Sequence, residues 1–249
     1  ETNRGYIVDP GNGATVTVGG ALSIDAQAGT GMATGISVNQ GTFEVTGAAS
    51  ISAASEQGEA RGVRAIGGSV SFAGGATIAA DAQDRAVAVY LDGGDVDLKG
   101  GLNATVVSQN GAAFGVNPSS PSQISIQGEQ ALISVTGAES ATGVVSNWGS
   151  QGDIQVTGKV DISATAGSGQ AYGILSNGYR SDGGSSLAVD GADIHVAAHS
   201  TGANALGIWS RSNDKDIHTL TLGTRQSGTI LLDATTAGSG TAHALLLGS

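Results

Sequence analysis

Ala171-Tyr172-Gly173-Ile174-Leu175-Ser176-Asn177 sets the pattern of this chain, because the same arrangement returns along the whole length. It is repeated as Gly35-Ile36-Ser37-Val38-Asn39, Gly62-Val63-Arg64-Ala65, Gly115-Val116-Asn117, Gly143-Val144-Val145-Ser146-Asn147 and Gly207-Ile208-Trp209-Ser210. Gly5-Tyr6-Ile7-Val8 and Ala244-Leu245-Leu246-Leu247 take the same place at the two ends, and Ala86-Val87-Ala88-Val89 fills the remaining slot with Ala for Gly. The glycine-type positions are then 5, 35, 62, 86, 115, 143, 173, 207 and 244, spaced 24 to 37 residues apart, inside the window of stacked repeats. Strands of constant length joined by turns of variable length produce such a drift.

Two further alternating segments lie between successive glycine runs. The first passes from Val16-Thr17-Val18 through Phe43-Glu44-Val45, Val70-Ser71-Phe72 and Val96-Asp97-Leu98 to Leu220-Thr221-Leu222. The second passes from Leu22-Ser23-Ile24 through Ile51-Ser52-Ala53, Ile162-Ser163-Ala164 and Ile194-His195-Val196 to Ile230-Leu231-Leu232. Apolar-polar-apolar triplets have period two, the signature of a half-buried strand. No triplet buries enough surface alone, so each must pair with its equivalent one repeat away. The predicted fold is all-β: a parallel β-helix, or solenoid, of about eight three-strand coils. At roughly 4.8 Å per strand it makes a rod on the order of 40 Å long.

Composition narrows the function classes. The unbroken repeat reads as a single elongated unit over 1–249. Gly is 42 of 249 and Pro only 3, without a collagen period, so the glycines serve turns. A net charge of −11 argues against nucleic acid as a partner and against docking on anionic lipid. No apolar run approaches the roughly 18 residues of a membrane helix, and no secretory signal opens the chain. Residue 1 is Glu and the only methionine is Met32, which reads as a processed or excised piece. The absence of cysteine excludes a disulfide framework and zinc-thiolate sites, and it suits export of an unfolded chain.

Tandem A-x-G-I-like runs, Gly-rich turns and short V-x-V and I-x-A strands in an acidic, cysteine-free chain resemble the passenger of a Gram-negative autotransporter. The resemblance covers residues 5 to 247 and reaches the pertactin-like and diffuse-adherence adhesins. It implies a right-handed β-helix, in keeping with the general crossover preference, exported through a carboxy-terminal outer-membrane barrel. It also implies display on the bacterial cell surface or secretion, for adhesion, self-association or host contact. The barrel and the signal peptide lie outside this sequence, so the chain reads as a passenger fragment.

Binding residues are expected in two places. The turn after each glycine run lengthens toward the carboxy end and carries Trp148, Tyr179, Arg180, Asp182, Arg211, Asn213, Asp214, Lys215 and Asp216; insertions on one face of a solenoid often bind. The outward row of the glycine strand runs Ser37, Arg64, Ala88, Asn117, Val145, Leu175, Trp209, Leu246, turning from polar to apolar, and a contiguous exposed apolar stripe marks an interface. Asn39, Asn147 and Asn177 hold equivalent places and read as structural, two of them as stacked amides.

Chemistry finds little support. Asp95 and Asp97, two apart on an outward face, have a spacing that would suit an inverting glycosidase, but they lack a third acid, a basic residue and an aromatic platform beside them. Asp92-Gly93-Gly94-Asp95 lacks the repeat of a calcium nonapeptide. His195 and His199, four apart, would suit a metal only on a helix; here His195 is read as an outward strand residue and His199 as part of the following turn. The expectation is a non-enzymatic adhesin without cofactor or metal. Its partner is a host surface receptor, matrix protein or glycan, or another copy of itself. A carbohydrate-active β-helix and a plain structural stalk are the alternatives.

Overall fold

The computed structural model describes residues 3–8, 13–120, 122–147, 153–178, 185–212, 218–224 and 228–248. Among them there are strands and turns but no helix, and every strand pairing is parallel. The chain is an all-β parallel solenoid of about six turns, fewer than the eight coils expected from the sequence. One sheet stacks the nine glycine strands in chain order, from Asn3–Val8 and Ala33–Asn39 through Ala171–Gly178 and Ala205–Ser212 to Ala242–Gly248. A second, 14-stranded sheet holds the other two rows. Those rows merge because Asp153–Ala166 and Ser185–Ser200 run through the corner without a break, the first with a register shift between Gly158 and Val160. The sequence separates these segments into distinct strands; in the later turns they are continuous.

Inward side chains form one continuous core along the axis, from Phe43, Ile51 and Val63 to Val196 and Ile208, all at most 1 % exposed. Toward the two ends of the described chain Val16, Leu22, Leu220 and Leu232 are only partly buried, and Ile230, Leu231, Leu245 and Leu247 are exposed. Corners are pinned by buried hydroxyls: Ser55 Oγ donates to the Gly31 carbonyl at 2.7 Å, Ser108 to that of Asp84 at 2.8 Å and Ser200 to that of Gly169 at 2.7 Å.

The first triplets stack in the predicted register, Val16 on Phe43 and Val70 on Val96. The second slip by two residues at the ends: Ile24 faces Ile51, and Val196 faces Ile162. A slip of two keeps every side chain on its face, so the pattern could not reveal it.

The repeat glycine proves to be a bend. In all eight pairings of the nine-stranded sheet the register steps over it, as from Arg61↔Val87 to Val63↔Val89. The glycine and the residue after it both face the core, as the burial of Gly62 and Val63 between half-buried Arg61 and Arg64 shows. A Cβ on Gly62 would collide with Ile78 Cγ2 and stand 2.8 Å from the Ala88 carbonyl oxygen; on Gly35, Gly115 and Gly143 it would collide with Ile51, Ile133 and Ile162. The slot in the fourth glycine strand is therefore Ala88, not Ala86. Its tolerance has a cause: Ile78, Ala104 and Ile133 share one row, so the coil with Ala for Gly also has Ala for Ile.

This pairing of sizes generates a prediction. Ala104→Ile should cost about 1–3 kcal/mol by overpacking against Ala88. In an Ala88→Gly background the same change should cost much less, a coupling read from urea midpoints in a double-mutant cycle. Additive costs would refute the pairing.

Candidate binding face

Two rows of outward side chains flank the glycine bend. The row before it runs Thr34, Arg61, Val87, Phe114, Thr142, Tyr172, Leu206. Large and small residues alternate along it. With strands about 4.8 Å apart, a large side chain is long enough to lean over a small one on the next strand. Thr34 and Val87 are consequently 0 % exposed, and Thr142 is 3 %, although all three lie on the outer face.

The row after the bend contains Ser37, Arg64, Tyr90 and Asn117, and then Val145, Leu175, Trp209 and Leu246 in direct register. Two corrections follow from this placement. Ala88 belongs to the bend, and the outward residue of its strand is Tyr90. Val145 is buried between its longer neighbours, so it takes no part in an exposed stripe; Ser37 is buried as well. Leu175, Trp209 and Leu246 are half-buried.

Two clusters occupy this face. In the first, the Arg61 guanidinium lies 4.5 Å from the Tyr90 ring centroid and pairs with Glu59 at 2.7 Å. Arg85 lies 5.9 Å from Tyr90 and 5.1 Å from Phe114, while the Tyr90 and Ser119 hydroxyls are 3.0 Å apart. In the second, Tyr172 and Trp209 stack with centroids 5.6 Å apart at 18°, an arrangement worth about 0.5–1.5 kcal/mol beyond area burial. The Tyr172 hydroxyl donates to Gln170 Oε1, and burial raises its pKa above the ordinary 10.0.

Trp148, Tyr179, Arg180, Asp182, Asn213, Asp214, Lys215 and Asp216 lie outside the described residues. Arg211 follows on the Ala205–Ser212 strand, opposite Asn177. Asn147 and Asn177 are register partners, whereas Asn39 faces Ile66. Sequence reading missed the arginine–aromatic cluster, because placing the slot at Ala86 moved Tyr90 out of its row. Stepping from Gly62 to Gly115 by nearly equal intervals would have found it.

The other candidates are turned to structural use. Asp95 Oδ1 accepts the Gln123 backbone N–H at 2.9 Å, and Asp97 meets Lys99 at 3.3 Å, a basic neighbour the sequence reading did not expect. His195 and His199 both lie on the Ser185–Ser200 strand. His195 stands between Asp161 and Asp233, each ring nitrogen 3.2 Å from a carboxylate oxygen. His199 Nδ1 is 2.7 Å from Thr235 Oγ1. The backbone N–H and hydroxyl of Thr229 donate to Asp193 at 3.0 Å each and hold its carboxyl below the ordinary 3.8. Among the described residues no three His, Cys, Asp or Glu are grouped to hold a metal ion. No family model, curated protein or solved structure matches this chain.

Two pH effects are expected. Tyr172 has its folded pKa raised, so its contribution is intact below pH 10 and declines as pH rises through the folded value; Tyr172→Phe should flatten the alkaline limb of a melting-temperature profile. Asp193 has its folded pKa lowered, so its contribution is present above 3.8 and lost as pH falls through the folded value. Asp193→Ala should speed hydrogen exchange at the Thr229 amide at neutral pH, and wild type should approach the variant in acid.

Proposed function

We propose that this chain is a non-catalytic binding rod, the passenger of a surface-exposed or secreted bacterial autotransporter, acting in adhesion or self-association. In this reading the solenoid is wound right-handed. Its partner is a host receptor, matrix protein or glycan, or a second copy. The observation that carries the reading is the Tyr172–Trp209 stack, with Leu175 and Leu246 half-exposed in register on either side of Trp209. Apolar side chains held rigid on a flat outer face suit recognition, since aromatic anchors lose little entropy on binding. Elsewhere the polar groups that could attack a substrate are already engaged, Asp95 and His195 with neighbouring turns and Asp97 with Lys99 of its own coil.

The test compares wild type, Trp209→Ser and Trp209→Phe for binding to host cells, matrix proteins and a glycan panel, and for sedimentation across a concentration series. Serine should abolish the interaction and phenylalanine should keep most of it, with melting temperatures checked for each. Equal binding by all three proteins would refute this face, and turnover of a polysaccharide would refute the class.

A further inference from the structure

Arg85 carries the second observation, independent of Trp209. Its guanidinium is held over Tyr90 and Phe114 and makes no ion pair among the described residues. Stacking fixes the plane of the group and leaves its N–H donors without an acceptor. Arg61 is fixed beside it over Tyr90, with Glu59 as its counter-ion.

Around the adjacent corner, the complement is presented. A groove of about 350 Å³ is lined by Glu56, Asp81, Gln83 and Gln109. The Glu56 carboxylate has no partner among the described residues, and Asp81 accepts only a long 3.4 Å bond from Gln109. Asp81 and Arg85 are four residues apart in sequence yet do not pair, because the corner directs them to different faces. The Ser55 and Ser108 hydroxyls that pin these corners hold both faces in place.

We infer that this corner is a self-complementary contact, on which a second copy of the chain sets its Arg85 into the Glu56–Asp81 groove and receives the reciprocal arginine. A twofold axis through the boundary between two opposite patches satisfies both at once, since an isologous contact pairs i with j and j with i. Magnitude sets its character. The arginine–aromatic face alone, about eight residues by four strands, offers roughly 500 Å². Even with the groove added, each copy buries less than the roughly 800 Å² of a standard interface, which places the contact among the weak, transient ones. Repulsion between two chains of net charge −11 opposes approach, so the dimer is weak and requires this local pairing. The contact does not depend on the Tyr172–Trp209 stack.

Sedimentation equilibrium of the full chain tests the inference by charge exchange. Arg85→Glu and Asp81→Arg should each raise the dimer dissociation constant about tenfold or more. An equimolar mixture should recover wild-type affinity, because in the heterodimer both contacts regain opposite charges. Arg85→Lys, which keeps the charge but loses the planar fork, should fall between. Recovery on mixing cannot arise from misfolding, and Trp209→Ser should leave this dimer intact. Failure of the mixture to recover overturns the inference. So does a monomer at every concentration, including one retained by heparin through Arg85, and that result would leave adhesion through Trp209 standing.

Discussion

The parallel ladder between successive turns, with its strands about 4.8 Å apart, is the constraint on which this structure depends. Every coil must repeat the path of the last closely enough to pair, so any bend has to occur at the same place in each. The repeat glycine provides that place. A backbone that turns into the core there would drive a Cβ against the isoleucine of the same coil and the carbonyl of the next. Glycine is required by space rather than by a positive φ, which occurs at other glycines such as Gly67 and Gly101. Ala88 and Ala104 show the same constraint met another way, with volume moved from one side of the contact to the other.

The ladder also shapes the outer face. Where large and small residues alternate along a row, as from Thr34 to Tyr172, the arginines and rings lie over the threonines and valines between them. The result is a paved surface in which outward residues such as Thr34 and Val87 are buried. Paving lowers the mobility of the large side chains, and rigid rings and guanidinium groups suit recognition because less entropy is lost when they bind. A flat face made this way can bind without a deep pocket.

The ends obey different physics. Through most of the solenoid apolar burial dominates, but on the Ile230–Thr236 and Ala242–Gly248 strands the leucines are half-covered or exposed. Polar staples take over there: Asp193 on Thr229, Asn204 on Thr241, and His195 between two carboxylates. Of these, the Asp193 contact weakens in acid, because Thr229 holds its carboxyl below the ordinary 3.8 and the contact is lost as that group is protonated.

Period-two triplets and the recurrent glycine determined, from sequence alone, that the chain is a parallel solenoid and which side chains fill its core. The register of Val145, Leu175, Trp209 and Leu246 was legible for the same reason, since stacked repeats convert sequence spacing into spatial adjacency. Burial on the outer face was not legible: Val145 and Thr142 are covered by neighbours from other coils, about 30 residues away in the chain. The slot at Ala88 was harder to read, because alanine at both 86 and 88 fits the pattern; the even spacing between Gly62 and Gly115 favours 88, and the register that steps over it decides. Local periodicity determined the fold, and the tertiary structure decided the surface, because inward positions answer to one repeated rule while outward ones depend on the size of whatever happens to stack beside them.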